Sequence, residues 1–307
     1  MNKQILCFLS IILLVACKDT SEIITIPDAQ FKSLLLIKFD KNNDREISKN
    51  EASKVTEIDV SGSPLKNNEI KSLEGIEHFI ALTKLNCSHN RLISIDISNN
   101  KVLEELLCHD NTLTSLDVSN NVRLISLKCH HNILPQLDVS QNTFLITLFC
   151  YINQLTELDV TNNPELQYLS CSYNQLTSLN VSKNPKLSKF FCRENKLTEL
   201  DVSNNKELIK LLCAYNQLIR LDLSNNPELT AIACNNNQLT ELDLSANNQL
   251  EELACSHNQL TQLDVSNHPR LNRLLCRNSP ELNVIYLQKG QEIKTFRKNS
   301  QSKVVYR

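Results

Sequence analysis

The sequence predicts a single repeat solenoid, built mainly of β-structure around a parallel sheet. Two observations carry this prediction. Ten cysteines follow one another at intervals of 21 residues, from Cys87 to Cys276. Around the first nine of them leucines, or phenylalanine or isoleucine in their place, and an asparagine recur in the pattern L-x-x-L-x-C-x-x-N-x-L, as residues 166–176 show. One such repeat cannot bury its own leucines, so neighbouring repeats must stack and share one continuous core.

The residues around each cysteine predict one short strand per repeat. The leucine two positions before the cysteine and the cysteine itself alternate with variable residues, which is the pattern of a strand with one buried face. The second half of each repeat, such as residues 116–121, alternates again and ends in an Asx-rich turn. Because it is short and rich in β-branched residues, we expect no helix there. The result is a flat, mainly β solenoid.

This pattern resembles the leucine-rich repeat, whose signature L-x-x-L-x-L-x-x-N/C-x-L recurs through the ten repeats, the last of them only in its first half, with cysteine at the third core position. The resemblance implies a right-handed β/α-superhelix whose parallel sheet lines the concave face. The cysteine form of the 21-residue repeat is similar to that of the internalins, in particular internalin J, a bacterial surface adhesin. That similarity implies extracellular protein binding on the concave sheet. Since the sequence has no LPxTG sorting motif, adhesion to host cells is not carried over.

The cysteine series predicts a ladder of buried free thiols. Parallel strands in register hold equivalent Cβ atoms about 4.7–4.9 Å apart, whereas a disulfide needs about 3.5–4.5 Å. A metal–thiolate chain would need converging ligands, which a regular stack does not provide. We therefore expect the thiols to act as small apolar side chains.

Two polar columns accompany the cysteines. The asparagines from Asn90 to Asn258 fall where the chain turns inside the solenoid, so we expect their amides to satisfy buried backbone groups. The aspartates from Asp96 to Asp264 are interrupted by Asn180. An amide can replace a carboxylate in hydrogen bonding but not in charge, so this column predicts turn formation rather than cation binding.

The first residues resemble a secretory signal. Residues 1–16 contain Lys3 and an apolar run of about eleven residues, which is too short to span a bilayer. The run ends at Cys17 in a sequence that resembles the lipobox of bacterial lipoproteins, with residues 17–22 as a tether. An ordinary signal peptide that contains a cysteine is the alternative. The lipobox implies an exported protein anchored to the bacterial envelope by a lipid, and the Lys18-Asp19 pair resembles surface-export signals of Bacteroidetes outer-membrane lipoproteins.

Residues 23–81 predict a helical N-terminal cap, since the apolar residues between Pro27 and Phe39 have helical spacing. The ten repeats then span residues 82–282. Residues 283–307 lose the repeat and contain three short strand-like segments, which predict a β cap at the other end.

A segment of the N-terminal cap resembles an EF-hand calcium loop. Its predicted ligands are Asp40, Asn42, Asp44, Glu46 through its carbonyl, Ser48 and Glu51. Arg45 stands where glycine normally takes a left-handed turn, which costs on the order of 1 kcal/mol. The alternatives are a weak calcium site and a helix–loop–helix that has kept its shape without an ion.

Residues that flank the cysteines should face outward from the concave sheet. In the middle repeats they form a group typical of protein-binding hot spots, accompanied by Lys189 and Lys210: Phe149, Tyr151, Tyr168, Tyr173, Phe191, Arg193 and Tyr215. The alternative is that they only decorate the sheet or pack on one another. A second cluster contains His89, His109, Asp110, His130 and His131. We expect surface histidines there, because ladder side chains point the same way rather than converge.

Composition and motifs point away from catalysis. A formal net charge of −2 gives no electrostatic case for nucleic acid, and three glycines allow no glycine-rich phosphate loop. Every cysteine of the predicted mature protein is assigned to the lipid or to the ladder, and no Ser/His/Asp arrangement is indicated. We therefore expect no catalytic residues and no required cofactor apart from calcium in the cap. The predicted function is a non-enzymatic cell-surface binding module with a protein ligand, or a glycan as the second choice. The alternative is a structural or assembly lipoprotein of the envelope.

Overall fold

The computed structural model of the protein describes residues 22–62 and 69–307. The predicted signal peptide and the lipidation of Cys17 lie outside these residues. The chain forms a parallel solenoid in which each turn contributes one strand to a concave sheet. The leucine-rich-repeat architecture predicted from the sequence is therefore confirmed.

Twelve strands form the concave sheet in the order β1 to β10, then β12 and β14. All pair in parallel and in register, so that Leu106 pairs with Leu127 and Leu127 with Leu148. The first ten strands are β1 Glu57–Asp59, β2 Lys84–Asn86, β3 Glu105–Leu107, β4 Ser126–Lys128, β5 Thr147–Phe149, β6 Tyr168–Ser170, β7 Lys189–Phe191, β8 Lys210–Leu212, β9 Ala231–Ala233 and β10 Glu252–Ala254. The last two are β12 Arg273–Cys276 and β14 Thr295–Lys298.

The second half of each repeat keeps the predicted alternation but pairs as strands only at the C-terminal end. Leu116 and Val118 are buried and Asp117 is exposed, yet the second sheet contains only β11 Gln262–Asp264, β13 Val284–Leu287 and β15 Lys303–Tyr306. Side-chain amides replace the ladder elsewhere. Asn142 Nδ2 donates to the carbonyl of Val118 at 3.0 Å and to that of Asn121 at 2.9 Å.

Two columns of asparagine donate hydrogen bonds to buried backbone carbonyls. In the predicted column, Asn132 donates from Nδ2 to the carbonyls of Cys108 and Cys129 at 3.1 and 3.0 Å, and its Oδ1 accepts from the amide of Leu113 at 2.9 Å. The structural role of this column is confirmed. The second column is completely buried and was not singled out from the sequence: Asn100, Asn121, Asn142, Asn163, Asn184, Asn205, Asn226 and Asn247.

The aspartate column forms Asx turns, as predicted. The amide of Ser119 donates to Asp117 Oδ1 at 2.9 Å, and the amide of Ser182 donates to Asn180 Oδ1 at 3.0 Å. Hydrogen bonds from Ser119 lower the pKa of Asp117. The same bond at Asn180 shows that the turn needs an oxygen acceptor and not a charge.

The N-terminal cap contains the predicted helix, α1 Ala29–Phe39. Asp28 caps it, with its carboxylate accepting from the amides of Gln30 and Phe31, and its apolar side packs into the core. A short helix α2, Lys49–Ala52, and a 3-10 turn, Ile76–His78, follow. Strand β1, which lies within this segment, already belongs to the concave sheet, so the solenoid begins before the first cysteine repeat.

The C-terminal segment continues the solenoid. Strand β14 pairs with β12 of the last cysteine repeat and extends the concave sheet, while β13 and β15 extend the second sheet. Strands β14 and β15 form the C-terminal edges of the two sheets, and their side chains are half-buried or exposed. Within the described residues, no helix combines the length and hydrophobicity required to cross a membrane.

All ten ladder cysteines are buried and free, as predicted. Several thiols lie close to a backbone carbonyl of the next repeat, which is the next rung of the ladder. Cys171 Sγ, for example, lies 3.7 Å from the carbonyl oxygen of Phe191. Burial raises the pKa of Cys129 and of Cys171 to about 12. The ladder therefore stays protonated and unreactive in the folded protein.

We predict that no ladder thiol of the folded protein reacts with iodoacetamide at pH 8, and that all ten react after denaturation without a reductant. Peptide mapping by mass spectrometry measures both. Ser178→Cys, which puts a thiol at an exposed position, is the positive control and should react in the folded state. Disulfides between successive rungs would contradict the ladder.

Candidate functional site

Each repeat presents four side-chain positions on the concave face. They are the residues before and after the strand leucine and the two residues after the cysteine. In the repeat of Cys150 these are Thr147, Phe149, Tyr151 and Ile152. The last of the four has a left-handed backbone in every cysteine repeat, with φ between 51° and 57°. Non-glycine residues adopt this conformation infrequently, and it aims the side chain away from the strand direction.

The first part of the surface is an aromatic groove of about 480 Å³. Phe149 and Phe191 line it from one column of outward residues, with the buried Ser170 between them in the strand pairing. Tyr168 lines the groove from the neighbouring column. We call this surface the aromatic groove and define it by Phe149, Tyr168 and Phe191.

Lysines surround the aromatic groove. Lys128, Lys189 and Lys210 line it. The Nζ of Lys189 lies 5.1 Å from the centre of the Tyr168 ring, and that of Lys128 lies 6.0 Å from the centre of the Phe149 ring. Ammonium groups at these distances are attracted to the ring faces. The groove therefore combines apolar walls with positive charge.

The second part of the surface is a cationic stack. The guanidinium carbon of Arg193 lies 5.6 Å from the centre of the Tyr173 ring and 4.9 Å from that of Tyr215. Both tyrosines occupy the left-handed position, on the rungs before and after Arg193, and both are exposed. A nearby carboxylate oxygen of Glu194 lies 3.8 Å from the guanidinium. The cationic stack therefore presents one arginine and two exposed tyrosines on the concave face.

Tyr151 belongs to a third group. Its ring stacks on His130 with centroids 4.2 Å apart, and His130 stacks on His109 at 4.3 Å. Burial lowers the pKa of His130 to about 4, so this imidazole is neutral at physiological pH. The structure thus brings all seven predicted residues to the concave face but divides them into three groups.

Lys128 lines the aromatic groove and was missed from the sequence. It occupies the same repeat position as Phe149 and Phe191, so the column could have indicated it.

The histidine cluster differs from the prediction. His89, His109 and His131 lie on three successive rungs, and each brings Nδ1 within 3.6 Å of a carboxylate oxygen of Asp110. The expectation that these side chains would not converge is wrong. His89, Asp110 and His131 share one repeat position with φ between 53° and 55°. Asp110 lies on the rung between the two histidines and beside His109, so all three imidazoles reach its carboxylate.

The chain is similar to known proteins among solved structures, whereas no family model and no curated protein matches it. Among solved structures, the functional domain of InlJ from Listeria monocytogenes, which includes a cysteine ladder, shares 30% identity with a TM-score of 0.74. The match covers 91% of this chain and 70% of the InlJ chain. The chain belongs to the internalin family of leucine-rich-repeat proteins.

Two more distant structures show the same fold. The internalin InlF from Listeria monocytogenes matches this internalin at 20% identity and a TM-score of 0.65, over 91% of this chain and 95% of InlF. The plant peptide hormone receptor RGFR1, solved in complex with RGF2, matches at 20% identity and a TM-score of 0.58, over 76% of this chain and 45% of the receptor. At these identities the likeness is one of fold alone.

The EF-hand-like loop of this internalin keeps the expected shape. Arg45 has φ 67°, the left-handed conformation predicted for the glycine position. The carboxylate of Asp40 accepts from the amides of Asp44 and Arg45, and Asn42 Oδ1 also accepts from the amide of Asp44. Glu46 pairs with Lys32 at 2.6 Å. The loop is therefore closed by its own hydrogen bonds.

Glu51 fits a calcium ligand only in part. Its Oε2 accepts from the amide and the hydroxyl of Ser48, and its Oε1 accepts from the amide of Lys41. A further backbone hydrogen bond comes from Asn42. Four donors occupy the roughly four lone-pair sites of a carboxylate. Bidentate chelation by Glu51 would have to displace them.

We predict weak calcium binding by the native chain, abolished by Asp44→Ala and changed by less than about fivefold by Arg45→Gly. Arg45 already has the left-handed conformation in the ion-free loop, so the strain of about 1 kcal/mol that glycine removes is present with and without calcium, and the substitution stabilises the fold more than it strengthens binding. Isothermal titration calorimetry with calcium chloride measures the three chains. Absence of binding in both the native and the Arg45→Gly chains would mean that the loop is purely structural.

Proposed function

We propose that this internalin is a non-enzymatic binding module that holds a protein partner on its concave sheet at the cell surface. The observation that carries the proposal is the aromatic groove next to the cationic stack. Aromatic and arginine side chains dominate the free energy of protein interfaces, since they bury much area at little cost in entropy. The middle repeats present both, on rungs fixed by a continuous hydrogen-bond ladder.

The size of the concave sheet suits such a partner. Twelve strands at about 4.8 Å per rung give a surface roughly 50 Å long. A standard protein interface needs about 800 Å² on each side. The groove and the stack occupy the centre of this length, which is where interface hot spots concentrate.

The partner's expected chemistry follows from the charges. Lys128, Lys189 and Lys210 line the aromatic groove, and Arg193 adds a guanidinium beside it. A segment with carboxylates flanking an apolar or aromatic side chain would complement this surface. That the plant receptor RGFR1 was solved in complex with RGF2 supports a polypeptide ligand for a solenoid of this fold.

Two other functions remain as outcomes of the tests. The aromatic rings of the groove could stack on sugar rings, which would make the protein glycan-binding. A structural or assembly lipoprotein would need no ligand in the groove. Both would leave the fold unchanged and differ in what the concave face contacts.

The first test finds the partner. A photo-crosslinking phenylalanine analogue introduced at the position of Tyr168 should capture a polypeptide on intact cells. The same analogue at the position of Phe144, an exposed ring in the turn before β5, is the control and should capture none. Capture of no polypeptide at either position, with binding on a glycan array, would favour the glycan function; absence of both would favour the structural one.

With the partner identified, we predict that Phe149→Ala and Arg193→Ala each weaken binding by about 1–3 kcal/mol. Phe144→Ala and Arg220→Ala remove the same residue types from exposed positions off the concave strands and should change the dissociation constant little. Calorimetric titration measures the affinities, and circular dichroism confirms that all four variants are folded. Equal tolerance of the four changes would contradict a site on the concave face.

The proposed location depends on Cys17. We propose that it is diacylated and anchors the protein to the outer membrane, with the concave sheet outside the cell. This rests on the lipobox-like sequence of residues 14–17.

We predict that externally added protease cleaves the protein on intact cells, and that Cys17→Ser releases it from the membrane fraction. A periplasmic protein should stay uncut in the same experiment and serves as the control. If the native protein is also uncut while known surface proteins are cut, the surface location is wrong.

A further inference from the structure

Asp110 lies at the centre of a cluster drawn from three rungs. Its Oδ2 is 2.7 Å from His109 Nδ1 and 3.6 Å from His89 Nδ1. Its Oδ1 is 3.5 Å from His131 Nδ1. Among the residues that the structure describes, His89, His109 and Asp110 are the group of histidine, cysteine and acidic side chains whose ligand atoms all lie within 4.8 Å of one another.

The scaffold holds this cluster in place. The amide of His89 donates to the carbonyl of His109 at 3.0 Å, and that of Asp110 donates to the carbonyl of His130 at 3.1 Å, so the rungs are fixed relative to each other. The ring of His109 is also held from one side, because it stacks on His130 with an angle of 9° between the planes. Ligands fixed before the ion arrives lose little entropy on binding it.

We propose that His89, His109 and Asp110 form a binding site for a divalent transition-metal ion, with Zn²⁺ as the expected ion. Zinc bound by nitrogen and carboxylate oxygen has bonds of about 2.0–2.2 Å, and a tetrahedron with such bonds has edges of roughly 3.3–3.6 Å. The separation of His89 from Asp110 already matches such an edge. That of His109 from Asp110, 2.7 Å, needs to widen by about 0.6–0.9 Å to reach such an edge as the metal replaces their hydrogen bond.

The remaining groups fit this assignment. His131 approaches the other oxygen of Asp110 and so orients the carboxylate, as outer-shell partners of metal ligands do. Both His89 and His131 are exposed, which leaves a path for the ion and a fourth coordination position for water. Two imidazoles and one carboxylate favour zinc over calcium or magnesium, which prefer oxygen ligands alone.

The ladder thiols do not compete for the ion. Cys87 and Cys108 belong to the same rungs but are completely buried, and burial raises the pKa of the Cys87 thiol to about 12. Zinc bound through the proposed ligands therefore has nitrogen and oxygen neighbours and no sulfur.

The repeat itself supplies variants that keep the fold. His89 and Asp110 occupy the left-handed position, where later rungs carry Asn236 and Asn278. His89→Asn and Asp110→Asn thus place a residue that this position already accepts. His257→Asn is the matched control, since His257 occupies the same position and its Nε2 is 3.0 Å from Asn278 Nδ2. Among the described residues, no carboxylate pairs with His257.

The test is calorimetric titration of the folded protein, without a histidine tag, with zinc chloride. We expect one Zn²⁺ per chain, binding lost in His89→Asn and Asp110→Asn, binding weakened about 10- to 100-fold in His131→Asn, and binding unchanged in His257→Asn. X-ray absorption at the zinc edge should show neighbours at about 2.0–2.1 Å.

Three results would overturn the proposal. They are no zinc binding by the native chain, equal binding by Asp110→Asn and the native chain, or zinc neighbours at about 2.3 Å, which would indicate thiolate ligands. None of them depends on a partner for the aromatic groove, so this test and the test of the binding function fail independently.

Discussion

Buried backbone carbonyls that lack a donor cost about 1–3 kcal/mol each, and a solenoid that turns at two corners per repeat would contain many of them. Asparagine removes this cost. Its two amide hydrogens reach the carbonyls of two successive rungs, as Asn132 does for Cys108 and Cys129. Each asparagine therefore ties its own rung to the one before. The stacking of the leucines and cysteines depends on these ties, because they keep every rung at the same register.

Because hydrogen bonding and packing constrain only the inward positions, the residues on the concave surface can differ from repeat to repeat. The inward positions of the cysteine repeats are closely specified, with leucine or a near equivalent before each cysteine and asparagine after the first nine of them, Ser279 taking its place in the last. The outward positions carry no such requirement and differ from rung to rung. Aromatic residues concentrate in the middle rungs and histidines in the first three, so one scaffold presents two chemically different surfaces on one concave face.

The left-handed residue after each cysteine has an effect beyond its own turn. It allows the chain to leave the strand and enter the corner where asparagine lies. Its side chain can contact outward residues on its own rung and on neighbouring rungs, as Tyr173 and Tyr215 do on either side of Arg193 and as Asp110 does among three histidines. The two clusters that matter most for binding thus both include residues whose backbone conformation the corner requires.

The sequence alone determined the period, the thiol ladder, the amide column and the Asx turns, because each follows from a residue type repeated every 21 positions in a parallel stack. It also identified the seven outward residues of the middle repeats and the left-handed turn at Arg45. The tertiary structure decided which outward residues meet. Residues 21 positions apart become neighbours, but whether their side chains meet depends on which residues occupy the outward positions of successive rungs and on how they orient there, as the contacts of Asp110 and Arg193 show. This is not visible in the pattern of apolar residues, which records burial and not direction.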